Sequence, residues 1–132
     1  MSRSGYSCDC WGWGLIQWRG AVAAAIRGKR GQAFLLEMWH AMNALPEHRL
    51  IAHELQEEDG AVCAIGSVGK ARGIDMSKID PEDRKAIADA FGISEALAAE
   101  IMFMNDEQRE AERFARMKLW IEQNLLPVEA GM

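Results

Sequence analysis

Arg19, Arg27, Lys29, Arg30 and Gln32 fall within one short stretch, Trp18-Arg-Gly-Ala-Val-Ala-Ala-Ala-Ile-Arg-Gly-Lys-Arg-Gly-Gln-Ala-Phe-Leu35. Arg19 and Arg27 are two helical turns apart, on the side away from the apolar residue Leu15. If a helix opens at Gly31 or Gln32, its unbonded backbone N–H groups and these cations together favour a phosphate or carboxylate. The competing reading is that the cations only solvate a helix end, stabilise its negative pole by a few tenths of a kcal/mol and pair with acids elsewhere. The glycines do not spell a nucleotide-binding fingerprint, because a phosphate loop needs a preceding strand and Gly-Lys-Ser/Thr. Trp11 and Trp13 stand beside glycines, outside the helical stripe, and read as candidate surface anchors for a partner; Trp18 reads as core.

Cys8-Asp-Cys10, Cys63 and the histidines His40, His48 and His53 are the residue types that ligate zinc. One residue between two cysteines is an awkward bite for a structural site, so no metal is expected. Nothing marks an activated nucleophile or a carboxylate pair, so no catalytic residue and no cofactor are expected, and the chain does not read as an enzyme. Three cysteines without an export signal suit free thiols in a reducing compartment.

The elements that must position these residues are helical. Leu15, Trp18, Val22 and Ile26 predict a helix over 13–27, and Phe34, Leu35, Met38, Trp39 and Met42 predict another over 32–44, with Gly28 and Gly31 marking the joint. Pro46 suits the first turn of a third helix that buries Leu50, Ile51 and Leu55 and ends at the acids Glu57, Glu58 and Asp59. Residues 60–72 read as a helix capped by Asp59, with a short strand or β-hairpin at 61–65 as the alternative. Asp80-Pro-Glu-Asp predicts a helix start, Gly92 a stop, Ser94 a restart and Asn105-Asp106 a further start. The last helix presents Phe114, Met117, Ile121 and Leu125 inward and stops before Pro127.

The expected fold is therefore all-α: a compact bundle of about six helices forming one domain over 1–132, with an irregular segment at 1–12 and a frayed tail at 127–132. The helices at 82–91 and 95–104 mimic a helix-turn-helix. The second of them carries Glu95 and Glu100 and no Lys or Arg, so it reads as a structural hairpin. No apolar run is long enough for a membrane span, and the expected location is the cytoplasm. The formal charge of −5 is unevenly spread: residues 1–49 hold six Lys/Arg against three Asp/Glu, and residues 50–132 hold nine against seventeen. Such a split suits one basic surface for an anionic partner on a body that repels nucleic acid.

Ser2-Arg-Ser-Gly-Tyr-Ser7, Arg19-Gly-Ala-Val, Arg27-Gly-Lys-Arg-Gly-Gln-Ala-Phe-Leu35, Arg49-Leu-Ile-Ala-His-Glu-Leu55, Cys63-Ala-Ile-Gly, Ala71-Arg-Gly-Ile-Asp75, Phe91-Gly-Ile and Asn105-Asp106 resemble a family of small uncharacterised proteins encoded by bacteriophages and prophages. The chain departs from that pattern at Cys8, where the family carries an acid, and in a shorter loop after Asp106. The resemblance implies a viral protein in the host bacterial cytoplasm. Its expected job is to bind and inhibit a host defence or nucleic-acid-handling complex, in the manner of an anti-CRISPR, through protein contacts with a host protein or ribonucleoprotein. The basic N-terminal segment leaves nucleic acid or a phosphorylated small ligand as the alternative partner.

Overall fold

The joint between the first two helices is a single residue. Gly28 takes an extended conformation (φ −69°, ψ 158°) between α1 (Gly12–Arg27) and α2 (Lys29–Asn43). The computed structural model describes residues 12–127, with side chains from 17 onward. α2 thus begins three residues before its predicted start at 32, because Gly31 does not break the helix. It lies inside α2, where a β-carbon would collide with the Ala25 carbonyl, so its lack of a side chain lets α1 fold back closely on α2. Of the segment expected to be irregular over 1–12, Gly12 opens α1, while residues 1–11, Trp11 among them, lie outside the described residues, as do 128–132.

Four further helices follow: α3 (Ala64–Arg72), α4 (Arg84–Phe91), α5 (Glu95–Asp106) and α6 (Arg113–Asn124), with a 3₁₀ turn at Met76–Lys78. The described residues form no strand. α5 touches α1, α3, α4 and α6, while α2 packs on α1, α3 and α6. Leu35, Met38, Met42, Ile65, Val68, Ile87, Leu97, Ile101, Met102, Met117 and Ile121 are fully enclosed between them. The unbranched methionines fill irregular gaps where six helices of unequal length meet. Phe114 and Leu125, expected on the inward stripe of α6, are half-buried at its margin, and Trp120 joins Met117 and Ile121 inside.

The predicted helix from Pro46 does not form. Residues 44–63 run as turns and extended chain, with His48 (φ 44°) and His53 (φ 70°) in left-handed conformations that interrupt helical hydrogen bonding. Leu50, Ile51 and Leu55 are buried all the same. The segment folds on itself through Ile51 N–H to Val62 O (2.9 Å), Glu57 N–H to Ala61 O (2.8 Å) and Cys63 N–H to Leu55 O (3.2 Å). An isolated antiparallel bridge, Gln56 with Val62, is all that corresponds to the strand alternative at 61–65.

Two predicted caps also move by one turn. Asp59 accepts from Ala61 N–H (3.0 Å) in a turn completed by Gly60 at φ 90°, and the cap of α3 is the thiol sulfur of Cys63, which accepts from Gly66 N–H (3.3 Å). Asp80 accepts from Glu82 N–H (2.9 Å), leaving Asp83 to cap α4 through Ala86 N–H (3.0 Å). Gly92 closes α4 in the left-handed conformation, and Ser94 Oγ caps α5 at Leu97 N–H (3.1 Å), both as expected.

Asn105-Asp106 ends α5 instead of starting a helix, because Asn105 is claimed by tertiary bonds. Its side-chain oxygen accepts from Ala64 N–H (3.1 Å) and its amide donates to Ile51 O (2.8 Å) and Asp106 Oδ1 (2.9 Å). Beside it the buried Arg113 donates from Nε to Asn105 O (2.8 Å), from one terminal nitrogen to Leu50 O (3.2 Å) and from the other to Gln108 O (2.9 Å). Removing either residue leaves buried backbone groups unpaired, each costing about 1–3 kcal/mol. Asn105→Ala and Arg113→Met are each expected to lower unfolding free energy by about 2–5 kcal/mol in urea titrations. Glu107→Ala, at an exposed neighbour, should change it by less than about 0.5 kcal/mol.

Candidate anion- and partner-binding surface

The residues singled out from the sequence separate into a structural pair and an exposed group. Arg19 leaves α1 toward α5, where its two terminal nitrogens donate to the Glu100 carboxylate at 2.8 and 3.3 Å. Glu100 is 93% shielded by its surroundings and Arg19 is half-exposed. Taking a carboxylate out of water without a cation is costly, so Arg19 is the counter-charge that allows Glu100 to face α1. Arg19 is committed to that pair. Gln32 is committed as well. Its amide nitrogen donates to Ile26 O (2.6 Å) and Asn124 O (3.0 Å), and its oxygen accepts from Leu126 N–H (2.8 Å), which clasps the ends of α1 and α6 to α2.

Arg27, Lys29 and Arg30 are exposed and, among the described residues, form no ion pair. They surround the joint at Gly28, where no side chain caps α2 and the first turn-closing bond is Gln32 N–H to Gly28 O (2.9 Å). A cleft of about 230 Å³ opens there, lined by Ala25, Gly28, Lys29, Arg30, Ser94 and Leu97 among others. The starts of α2 and α5 therefore share one rim, and the positive ends of both helix dipoles add to the field of the three cations. This arrangement can hold a small anion by charge and backbone N–H groups. Trp13 lies in the first turn of α1, and Trp18, half-buried, packs its ring 5.0 Å beneath the Arg84 guanidinium.

At the other end of α2 the charge reverses. Glu54, Glu57, Glu58 and Asp59 on the extended loop, and Glu107, Glu110 and Glu112 ahead of α6, are all exposed and outnumber the exposed cations Arg49, Lys70 and Arg109 among them. Arg49 reaches Glu110 at 3.8 Å, and His53 lies 3.7 Å from the enclosed Asp106 carboxylate, whose Oδ1 accepts from His53 N–H (3.0 Å). These contacts and the Asn105–Arg113 pair bring the loop against the segment ahead of α6, and no spacing in the sequence announced that the two meet.

Of the zinc-ligating residue types in the sequence, Cys8 and Cys10 lie outside the described residues. Cys63 is buried as a helix cap, His48 stacks on Phe114 at 4.7 Å, and His40 is exposed on α2. Among the described residues no three His, Cys, Asp or Glu side chains converge. No helix among them is long and apolar enough to cross a membrane. No protein-family model matches the chain, and no curated protein or solved structure is similar to it.

One ion pair between α2 and α3 carries a pH dependence. Arg72 donates bidentately to Glu37 (2.6 and 2.8 Å) while its guanidinium lies 5.9 Å from the ring centres of both Phe34 and Phe91. The hydrogen bonds from Arg72 hold the Glu37 carboxyl below its ordinary range, and those bonds in turn raise Arg72. A carboxyl lowered in the folded state stabilises fully above its ordinary value, and that contribution disappears as pH falls through the lowered one. Because the pair is about one-third exposed, its contribution is about 0.5 kcal/mol. Thermal unfolding of Glu37→Gln should therefore show a slightly lower melting temperature at neutral pH and converge on the parent in acid.

Proposed function

We propose that this chain is a non-enzymatic binding protein of bacteriophage origin that works in the host bacterial cytoplasm. It engages a host defence or nucleic-acid-handling complex by protein contacts, as an anti-CRISPR-type inhibitor does. The observation that carries this reading is the separation of charge along α2: Arg27, Lys29 and Arg30 at one end, and the acids of the 54–59 and 107–112 segments at the other. A dense anionic surface presented by a rigid body can occupy a channel built for nucleic acid, and complementary charge speeds and orients that encounter. The resemblance to phage proteins supplies the host setting.

A second reading is favoured by the cleft at Gly28. There Lys29, Arg30 and two helix starts converge on a space large enough for a phosphate group, so a nucleic acid or phosphorylated small ligand is the alternative partner.

Tagged protein exposed to bacterial lysate is expected to retain a nucleic-acid-binding complex in fixed proportion. Reversing Glu57, Glu58 and Asp59 to lysine should abolish that retention, whereas Arg27→Ala with Arg30→Ala should leave it intact. Retention that ignores the acidic reversal would sink the inhibitor reading. The alternative is read by titrating oligonucleotides at two salt concentrations: three cations predict a log–log salt slope of about −2 on single strands, reduced by the Arg27 and Arg30 changes.

A further inference from the structure

The cleft at the Gly28 joint is lined by two kinds of side chain: Lys29, Arg30 and Ser94 are polar, and Ala25, Ile93 and Leu97 are apolar. Its polar groups are donors in want of acceptors. The amides of Lys29, Arg30 and Gly31 precede the first bond of α2, Gln32 N–H to Gly28 O, and among the described residues neither a side-chain cap nor a backbone carbonyl takes them. Free amides at a helix start are ordinary where water reaches them. Gly31 is buried, however, and lines the cleft, so an acceptor for its amide has to enter there. Ser94 Oγ already accepts from Leu97 N–H, which leaves its hydroxyl proton to donate. Lys29 and Arg30 form no ion pair among the described residues, and no carboxylate among them lines the cleft.

We propose that this cleft binds a small phosphomonoester, its phosphate held by Lys29, Arg30, Ser94 and the amide of Gly31, and a few carbons of its organic part resting on Ala25, Ile93 and Leu97. The inference rests on the reading of this cleft as an anion site, and it selects the small ligand over the nucleic acid which that reading also admits.

Size, charge and surroundings make that selection. The volume of about 230 Å³ lies below the roughly 300–1,000 Å³ of sites that enclose a drug-sized ligand, so a phosphate with a short organic part fits. Two cations in the lining match the charge of a phosphomonoester, about −1.5 to −2 at neutral pH, whereas each linkage of a strand carries a single charge. A strand continuing past the cleft also leaves its cations behind. Glu95 follows Ser94 directly and is engaged by Arg84 at 3.6 Å, and the chain as a whole carries a formal charge of −5. A polyanion meets that repulsion, while an anion seated within a Debye length, about 8 Å, of Lys29 and Arg30 responds chiefly to them.

Calorimetric titration of the full chain at near-physiological salt tests this with three probes: glycerol 3-phosphate, inorganic phosphate, and a short thymidine oligonucleotide without terminal phosphates. Glycerol 3-phosphate should bind about threefold tighter than inorganic phosphate, the gain expected from covering one or two carbons, and the oligonucleotide should not bind. Its affinity should fall about fivefold between roughly pH 7.5 and pH 5, as the ligand takes up its second proton near pH 6. Lys29→Ala with Arg30→Ala, both exposed so that circular dichroism should not change, should weaken it at least about tenfold. Arg27→Ala, outside the lining, should change it less than about twofold. Oligonucleotide binding that depends on Lys29 and Arg30 and is not displaced by glycerol 3-phosphate would overturn this inference and leave the anion site standing. Silence from all three probes would overturn both. Phosphomonoester binding that ignores Lys29 and Arg30, or that is equal at the two pH values, would also overturn it.

Discussion

A buried stretch of chain that is neither helix nor sheet must still find partners for its backbone groups, and in this protein two side chains supply them. Leu50, Ile51 and Leu55 enter the core from an extended loop, so their amides and carbonyls go in with them. Arg113 and Asn105 take the carbonyls of Leu50 and Ile51, and the same Asn105 holds the first amide of α3. Four segments distant in sequence are joined at this node: the loop, the start of α3, the end of α5 and the start of α6. Hydrophobic burial alone would not fix how they meet, because apolar contact is not directional. Hydrogen bonds from a planar guanidinium and a carboxamide are directional, and they set the register of the loop against the bundle.

The opposite end is fixed by different means. Gly31 allows α1 and α2 to fold tightly together, Gln32 ties both to α6, and the buried Glu100 with Arg19 sets α1 against α5. Each of these contacts removes a polar group from the surface. The cations left outside, Arg27, Lys29 and Arg30, surround a rigid joint, so their spacing is set by the two helices and not by a flexible loop. Cations gathered at one end and acids in excess at the other give the molecule a direction in an electrostatic field.

Much of the bundle was legible in the sequence because helical periodicity and end signals act locally. Val22, Leu35, Met38, Met42, Met117 and Ile121 are buried where their spacing placed them, and Gly92 and Ser94 act as stop and start. The misreadings cluster where a distant partner overrode a local preference. Leu50, Ile51 and Leu55 have helical spacing, yet left-handed His48 and His53 and the claims of Asn105 and Arg113 hold that segment extended. Asn105-Asp106 looks like a helix start because both residues favour that role when solvated, whereas here Asn105 is buried. Asp59 and Asp80 are good caps, but each spends its carboxylate on a turn two residues on, and Cys63 and Asp83 cap instead.

The candidate surface was legible as composition and not as arrangement. Arg19 and Gln32 belong to the same basic, polar stretch as Arg27, Lys29 and Arg30, and no feature of the stretch itself separates them. What separates them is Glu100, eighty-one residues away, and the backbone of 124–126, more than ninety away. A charged side chain becomes structural when a buried opposite charge lies within reach, and that depends on which helix packs beside it. Because α5 runs antiparallel beside α1, Glu100 meets Arg19, while the start of α5 brings only Ser94 and Leu97 to the level of Gly28. The direction of one helix therefore decides which cations are spent inside the fold and which remain to meet another molecule.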